Sequence, residues 1–135
     1  MSLKPHMKRR RIEVTDFDEA DALERTAGDR TILFEVVRFT LEDIPVILKD
    51  IQKALDEEKW QDVGRLAHKA KGTAGAAGAR RLFQASLNLE LAAVDEHERC
   101  ADIRDSMVEA FQSFRSHPEV RRISSLDAGG DASIG

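Results

Sequence analysis

The sequence predicts an all-α protein folded as an up-and-down bundle, on three observations. Ala, Leu, Glu and Lys dominate between residues 16 and 116. Apolar residues recur there at steps of three and four, the helical period. The long periodic segments are joined by short connections, which favour antiparallel neighbours. One domain fits a chain of 135 residues.

The first helix is expected to start at Thr15 or Asp16, where Thr15 with Asp18, or Asp16 with Glu19, resembles a capping box. Phe17, Ala20, Leu23 and Ala27 follow at helical spacing, and Gly28 suits the C-terminal cap. Asp29 is placed to cap a second helix. Its stripe Leu33, Val37, Leu41, Ile44, Leu48, Ile51 and Leu55 runs in steps of four, four, three, four, three and four. Pro45 lies inside that stripe and removes a backbone hydrogen bond. A kink is expected in place of a break, because the stripe keeps phase across it.

Asp56-Glu57-Glu58-Lys59 reads as a turn. A third helix runs from about Trp60 to near Gly75, and a short Gly/Ala stretch ends at Gly78. A fourth, from about Ala79 to Val94, turns Leu82, Ser86, Leu89 and Ala93 inward. Asp95, with Glu98 three residues on, is placed to cap a fifth helix carrying Ile103, Met107, Ala110, Phe111 and Phe114, and Pro118 marks its end. Phe34, Phe39, Phe83, Phe111 and Phe114 are assigned to bundle packing, and Trp60 to the core. The organisation expected is a basic arm or linker at 1–14, a domain at 15–117, and a polar, flexible tail at 118–135.

Charge and composition exclude several functions. The net charge of −4 offers no global field for nucleic acid or anionic membrane. The run Lys8-Arg9-Arg10-Arg11 reads as a solvated arm. One cysteine, Cys100, rules out a disulfide within the chain, and a reducing cytoplasmic location is the default. No apolar run approaches the roughly 20 residues needed to span a bilayer. Met1-Ser2-Leu3 has the look of a cloning remnant, which would make the chain an excised piece, and nothing else rests on it.

The informative stretch is Leu66 to Leu82. At about 100° per residue, Val63, Leu66, Ala67, Ala70, Ala74 and Ala77 form one buried face. His68 falls roughly 150° from its centre and points to solvent. Gly64, Arg65, Lys71 and Gly72 share its surface, with Gly75 a turn further on. Each glycine costs a helix about 1 kcal/mol relative to alanine, so a strip of them needs another reason. Clearance is one: a phosphoryl donor or acceptor must approach a ring nitrogen in line. Lys71 can offset charge on transferred oxygens, and a neutral imidazole is a competent nucleophile near neutral pH. A lone exposed histidine is usually plain surface, and His6, His97 and His117 are read that way.

His68-x-x-Lys71-Gly72, then Gly78-Ala79 and Leu82, resemble the signature of the histidine-containing phosphotransfer (HPt) family. Phe39, Pro45, Leu48, Ile51, Ala54-Leu55 and Leu89-Glu90 also fit its pattern, and the resemblance covers residues 15 to 117. It implies an antiparallel up-and-down four-helix bundle, here with an additional N-terminal helix. It implies that His68 takes a phosphoryl group from an aspartyl phosphate of a receiver domain and passes it to another receiver. Lys71 then assists electrostatically and Gly72 gives clearance. Partner-contact candidates are Gly64, Arg65, Lys69, Gly75, Arg80 and Arg81. Ala70 departs from the leucine often found at its place, and Thr73-Ala74 from the usual serine or small residues.

The chain has no P-loop and no glycine-rich boxes of a kinase ATP domain, nor the strand–helix alternation of a receiver. A phosphoryl carrier that is not itself an enzyme is therefore expected. It carries no metal site or cofactor of its own, and any Mg2+ sits in the partner receiver. Partners are receivers of response regulators or hybrid histidine kinases, the chain being free-standing or part of such a kinase. A monomer is expected. A kinase dimerisation helix fits poorly, since Lys69 follows His68 where an acid is usual. His97 and Cys100 supply two of the four ligands a structural zinc wants. Glu90 is read as a helix-surface charge or a structural contact related to the family, and is given no chemical role. The alternative function is a non-catalytic HPt-like adaptor that binds receiver or kinase domains without phosphotransfer.

Overall fold

The computed structural model describes residues 15–134, with side chains to residue 126. The basic arm at 1–14 lies outside the described residues, as does His6. All regular structure among the described residues is helical: α1 (Glu19–Arg25), α2 (Arg30–Asp56), α3 (Trp60–Ala76), α4 (Arg80–Asp95), α5 (Cys100–Ser116) and α6 (Pro118–Ile134), with a 3-10 turn at His97–Arg99 before α5. In the bundle α2 neighbours α3 and α5, α3 packs on α4, and α4 packs on α5. The α3–α4 seam therefore lies opposite the α2–α5 seam. None of the described helices is long and apolar enough to cross a membrane.

Local chemistry accounts for each boundary. Asp18 is the N-cap of α1, accepting from the Asp21 amide at 3.0 Å. The expected start at Thr15 or Asp16 is thus three or two residues early. Phe17 precedes the helix and packs edge-on against Phe114 and His117, with ring centroids 5.9 and 5.5 Å away. Asp29 caps α2 as expected, accepting from Thr31 and Ile32. Leu33, Val37, Ile44, Leu48 and Ile51 are buried, with Leu41 and Leu55 partly so. Pro45 does not divide α2, which runs unbroken for 27 residues.

Gly78 closes the α3–α4 turn in the left-handed region, φ +71°. The Asp18 amide donates to its carbonyl at 2.7 Å and the Thr15 carbonyl accepts from Arg81 N–H at 3.0 Å. The segment leading into α1 is thereby stitched across this turn.

Five expectations are corrected. Asp95 ends α4 and does not cap α5; the 3-10 turn takes up the connection, and the N-cap of α5 makes no side-chain hydrogen bond. Pro118 opens a helix as well as ending one, because a first-turn proline gives up no hydrogen bond. His117, read as plain surface, caps that helix: its Nδ1 accepts from the Glu119 amide at 3.2 Å. The expected tail from 118 is α6, packed on α2 and α5, with Val120 and Ile123 buried. Each such burial is worth about 1.5–3 kcal/mol, enough to anchor a segment whose Ser/Gly/Asp composition argues for fraying. Finally, Phe39 and Phe83 are exposed and do not belong to the core, whereas Phe111 and Phe114 do. Trp60 is partly buried against it.

Candidate functional site

His68 lies in mid-α3, and its side chain is 68% exposed. Burial of Val63, Leu66, Ala67, Ala70 and Ala74 on the opposite side fixes that orientation. The neighbouring α4 brings up Glu90, whose Oε2 is 2.8 Å from His68 Nδ1. A carboxylate only accepts, so Nδ1 carries the proton. In the neutral ring Nε2 then keeps the lone pair. The other Glu90 oxygen, Oε1, is closed off from solvent and lies 2.8 Å from the Lys71 ammonium. Glu90 and Lys71 are mostly covered, at 28% and 22% exposure.

This chain of contacts holds Glu90 ionised. The Lys71 contact is the largest cause, burial opposes it, and the His68 contact adds to it, so the carboxyl titrates below its ordinary 4.5. A lowered carboxyl pKa stabilises the fold above the unfolded value, and that contribution is lost as pH falls through the folded one. The imidazole tether is therefore intact at neutral pH and released only in acid. If His68 accepts a phosphoryl group, Glu90→Ala should slow that acceptance by about 10- to 100-fold through loss of orientation, at a small cost in stability from loss of the Lys71 pair. Stopped-flow transfer kinetics from a charged receiver check this, and an unchanged rate would remove Glu90 from the site.

The glycines of the strip divide into two kinds. A side chain at Gly72 meets nothing within 4 Å, so this position is open to solvent. Gly75 is not open: an added Cβ lies 3.4 Å from the Phe83 ring, which covers it. Gly64 faces Ala93 Cβ at 3.6 Å and serves the close packing of α3 on α4. Arg65 pairs with Asp62 at 3.5 Å and lines a hollow with His68, Glu90, Trp60 and His97. A second hollow, past Lys71 and Gly72, includes Arg80 and Phe83. Lys69 is exposed. Arg81 is engaged elsewhere, 3.3 Å from Asp16, and belongs to the α1 attachment.

The sequence reading missed two features. Glu90 is one, although the signal was present: His68 lies ten residues before Gly78 and Glu90 twelve after, so an antiparallel hairpin folded at that glycine sets them side by side. The other is an apolar ridge beside Glu90 on α4. Phe83, Leu87, Leu91 and Val94 recur in steps of four, four and three, with Leu91 60% and Val94 75% exposed.

Residues 35–114 match the family model of the Hpt domain. The chain belongs to the Hpt family. Domains of this family act in phosphotransfer in two-component signalling and interact with response-regulator receiver domains. No match is found among curated proteins or among solved structures. The matched span takes in His68, Lys71, Gly72 and Glu90, while α1 and α6 of this Hpt protein lie outside it.

The remaining histidine near the site has a packing role. His97 stacks on Trp60, with centroids 4.1 Å apart and planes 11° apart, and its Nε2 donates to the Ala93 carbonyl at 3.1 Å. Cys100 is buried, and burial raises its thiol pKa. Among the described residues no group of three or more His, Cys, Asp or Glu could hold a metal ion.

Proposed function

We propose that His68 is the phosphoryl carrier of this Hpt protein, and that Nε2 is the nucleophile. The observation that carries the reading is the exposed imidazole held through Nδ1 by an ionised Glu90, which leaves Nε2 unpaired. In the transfer, the Nε2 lone pair attacks phosphorus of an aspartyl phosphate in line, and the aspartate carboxylate of the receiver leaves. The ring keeps its Nδ1 proton and becomes cationic, a charge the Glu90 carboxylate offsets. Lys71 neutralises Glu90 at rest and lies one turn from His68, within reach of the phosphoryl oxygens if it swings outward. Catalysis rests mainly with the partner receiver, whose Mg2+ would neutralise the charge on the moving group. The apolar ridge Leu87, Leu91 and Val94 gives the receiver a surface to cover, with Arg65, Lys69 and Arg80 at its margins.

Two experiments test the reading. A 32P-labelled receiver is mixed with the protein and removed, and a second, unlabelled receiver is added. The label is expected to move twice; a label that enters the protein and never leaves it would argue against a relay. Gly72→Leu is expected to slow transfer at least about tenfold while raising helix stability by about 1 kcal/mol. Equal transfer rates in that variant would defeat the clearance role of Gly72.

A further inference from the structure

The face opposite His68 carries a second, differently built surface. Along the α2–α5 seam, extended by α6, two adjoining hollows share Pro45, Phe111 and Arg115 and form one groove. Its accessible floor is apolar, from Pro45 and the partly exposed Leu41 and Val108, with Leu48 and Phe111 buried beneath them. Its walls are cationic: Lys49 and Lys53 from α2, Arg104 and Arg115 from α5, Arg121 from α6.

Arg104 is anchored by donating from Nε to the Leu48 carbonyl at 3.1 Å. Lys49, Lys53, Arg115 and Arg121 have no side-chain ion pair or hydrogen bond with any described residue. The two acids that line the groove, Asp56 and Glu57, sit at the C-terminal end of α2. Asp56 accepts from Gln52 at 2.8 Å and Glu57 pairs with Lys59 at 3.2 Å. A row of unpaired cations on a chain of net charge −4 is a local excess that repels itself. An anion that fills the groove would relieve it.

We propose that this groove docks an acidic amphipathic helix of a partner protein. Arg104 and Arg115 are eleven residues apart on one helix, about 16 Å, which matches three turns of a ligand helix. The apolar floor takes the apolar face of such a helix and the two cationic walls take its flanking carboxylates. Single-stranded nucleic acid fits less well, because bases need exposed aromatic faces to stack on and Phe111 is only 5% exposed. A membrane fits less well too, since the apolar side chains lie at the floor of a furrow and not on a protruding rim. The proposal is independent of phosphotransfer, because the groove and His68 lie on opposite seams.

The test uses the full chain and a fluorescein-labelled synthetic helix of about 18 residues, with Leu at i, i+3, i+4 and i+7 and Glu at the flanks. A scrambled peptide of the same composition is the control. Saturable anisotropy is expected for the patterned peptide, at least about tenfold tighter than for the scrambled one. Arg115→Glu with Arg121→Glu should weaken it at least about tenfold, and Lys49→Glu with Lys53→Glu likewise. Having two separate pairs keeps the test decisive if one variant melts early. Transfer from a labelled receiver to His68 should be unchanged in both variants. Equal binding of the scrambled peptide, or variants that bind as wild type, would overturn the proposal. So would tighter binding of an oligo-dT strand or of phosphatidylserine vesicles, which would reassign the groove to a nucleic acid or a membrane surface.

Discussion

His68→Gln is expected to abolish phosphoryl acceptance while leaving the melting temperature within about 2 °C of wild type. Glutamine has no ring nitrogen lone pair, so the nucleophile is gone. The side chain is 68% exposed, and its hydrogen bond to Glu90 lies at the surface. Exposed pairs of this kind are worth about 0–1 kcal/mol. Glutamine can still donate to Glu90 through its amide, which narrows the difference. Autoradiography after mixing with a labelled receiver, together with a thermal melt, separates the two effects. A large loss of stability would mean that His68 supports the α3–α4 seam and is more than a carrier.

The second large effect is on folding, at a residue ten positions away. Gly78→Ala is expected to destabilise the protein by about 3 kcal/mol, a fall of about 10–15 °C in Tm for a domain of this size. Two costs add. At φ +71° an L side chain is strained. The new Cβ would also lie 2.5 Å from the Asp18 carbonyl oxygen and 3.0 Å from Ala22 Cβ, so the α1 attachment must shift and its 2.7 Å hydrogen bond to Gly78 weakens. Gly28 is the control. Its φ of +78° is similar, but nothing lies within 4 Å of an added Cβ, so Gly28→Ala should cost only about 1 kcal/mol. Equal losses at both positions, measured by urea unfolding, would mean that the close packing of α1 on the turn contributes nothing.

Much of the bundle was legible because its signals are local. The period of α2, the Asp29 cap and the turn glycines act within a few residues of themselves. The exposure of His68 follows from helical geometry and the alanines behind it. Some errors were avoidable on the same grounds: Phe39 is two residues from buried Val37, about 200° around the helix, so periodicity already placed it outside. Pro118 was ambiguous by nature, since proline ends one helix and opens the next with equal ease. The burial of Val120 and Ile123 against α2 and α5 depends on tertiary packing, which no short window of sequence carries. The partnership of Glu90 with His68 and Lys71 depends on the register of two helices. That register is set by where the α3–α4 turn folds, and Glu90 read alone is one more helix-surface acid.

The most direct test of the carrier assignment is to locate the phosphoryl group at atomic level. The protein, with 15N-labelled imidazoles, is charged from a phosphorylated receiver and examined by 31P–15N NMR. The geometry predicts a single phosphohistidine, at His68, with phosphorus bonded to Nε2 and the proton retained on Nδ1. Phosphorus on Nδ1, on another histidine, or on no histidine would contradict the account.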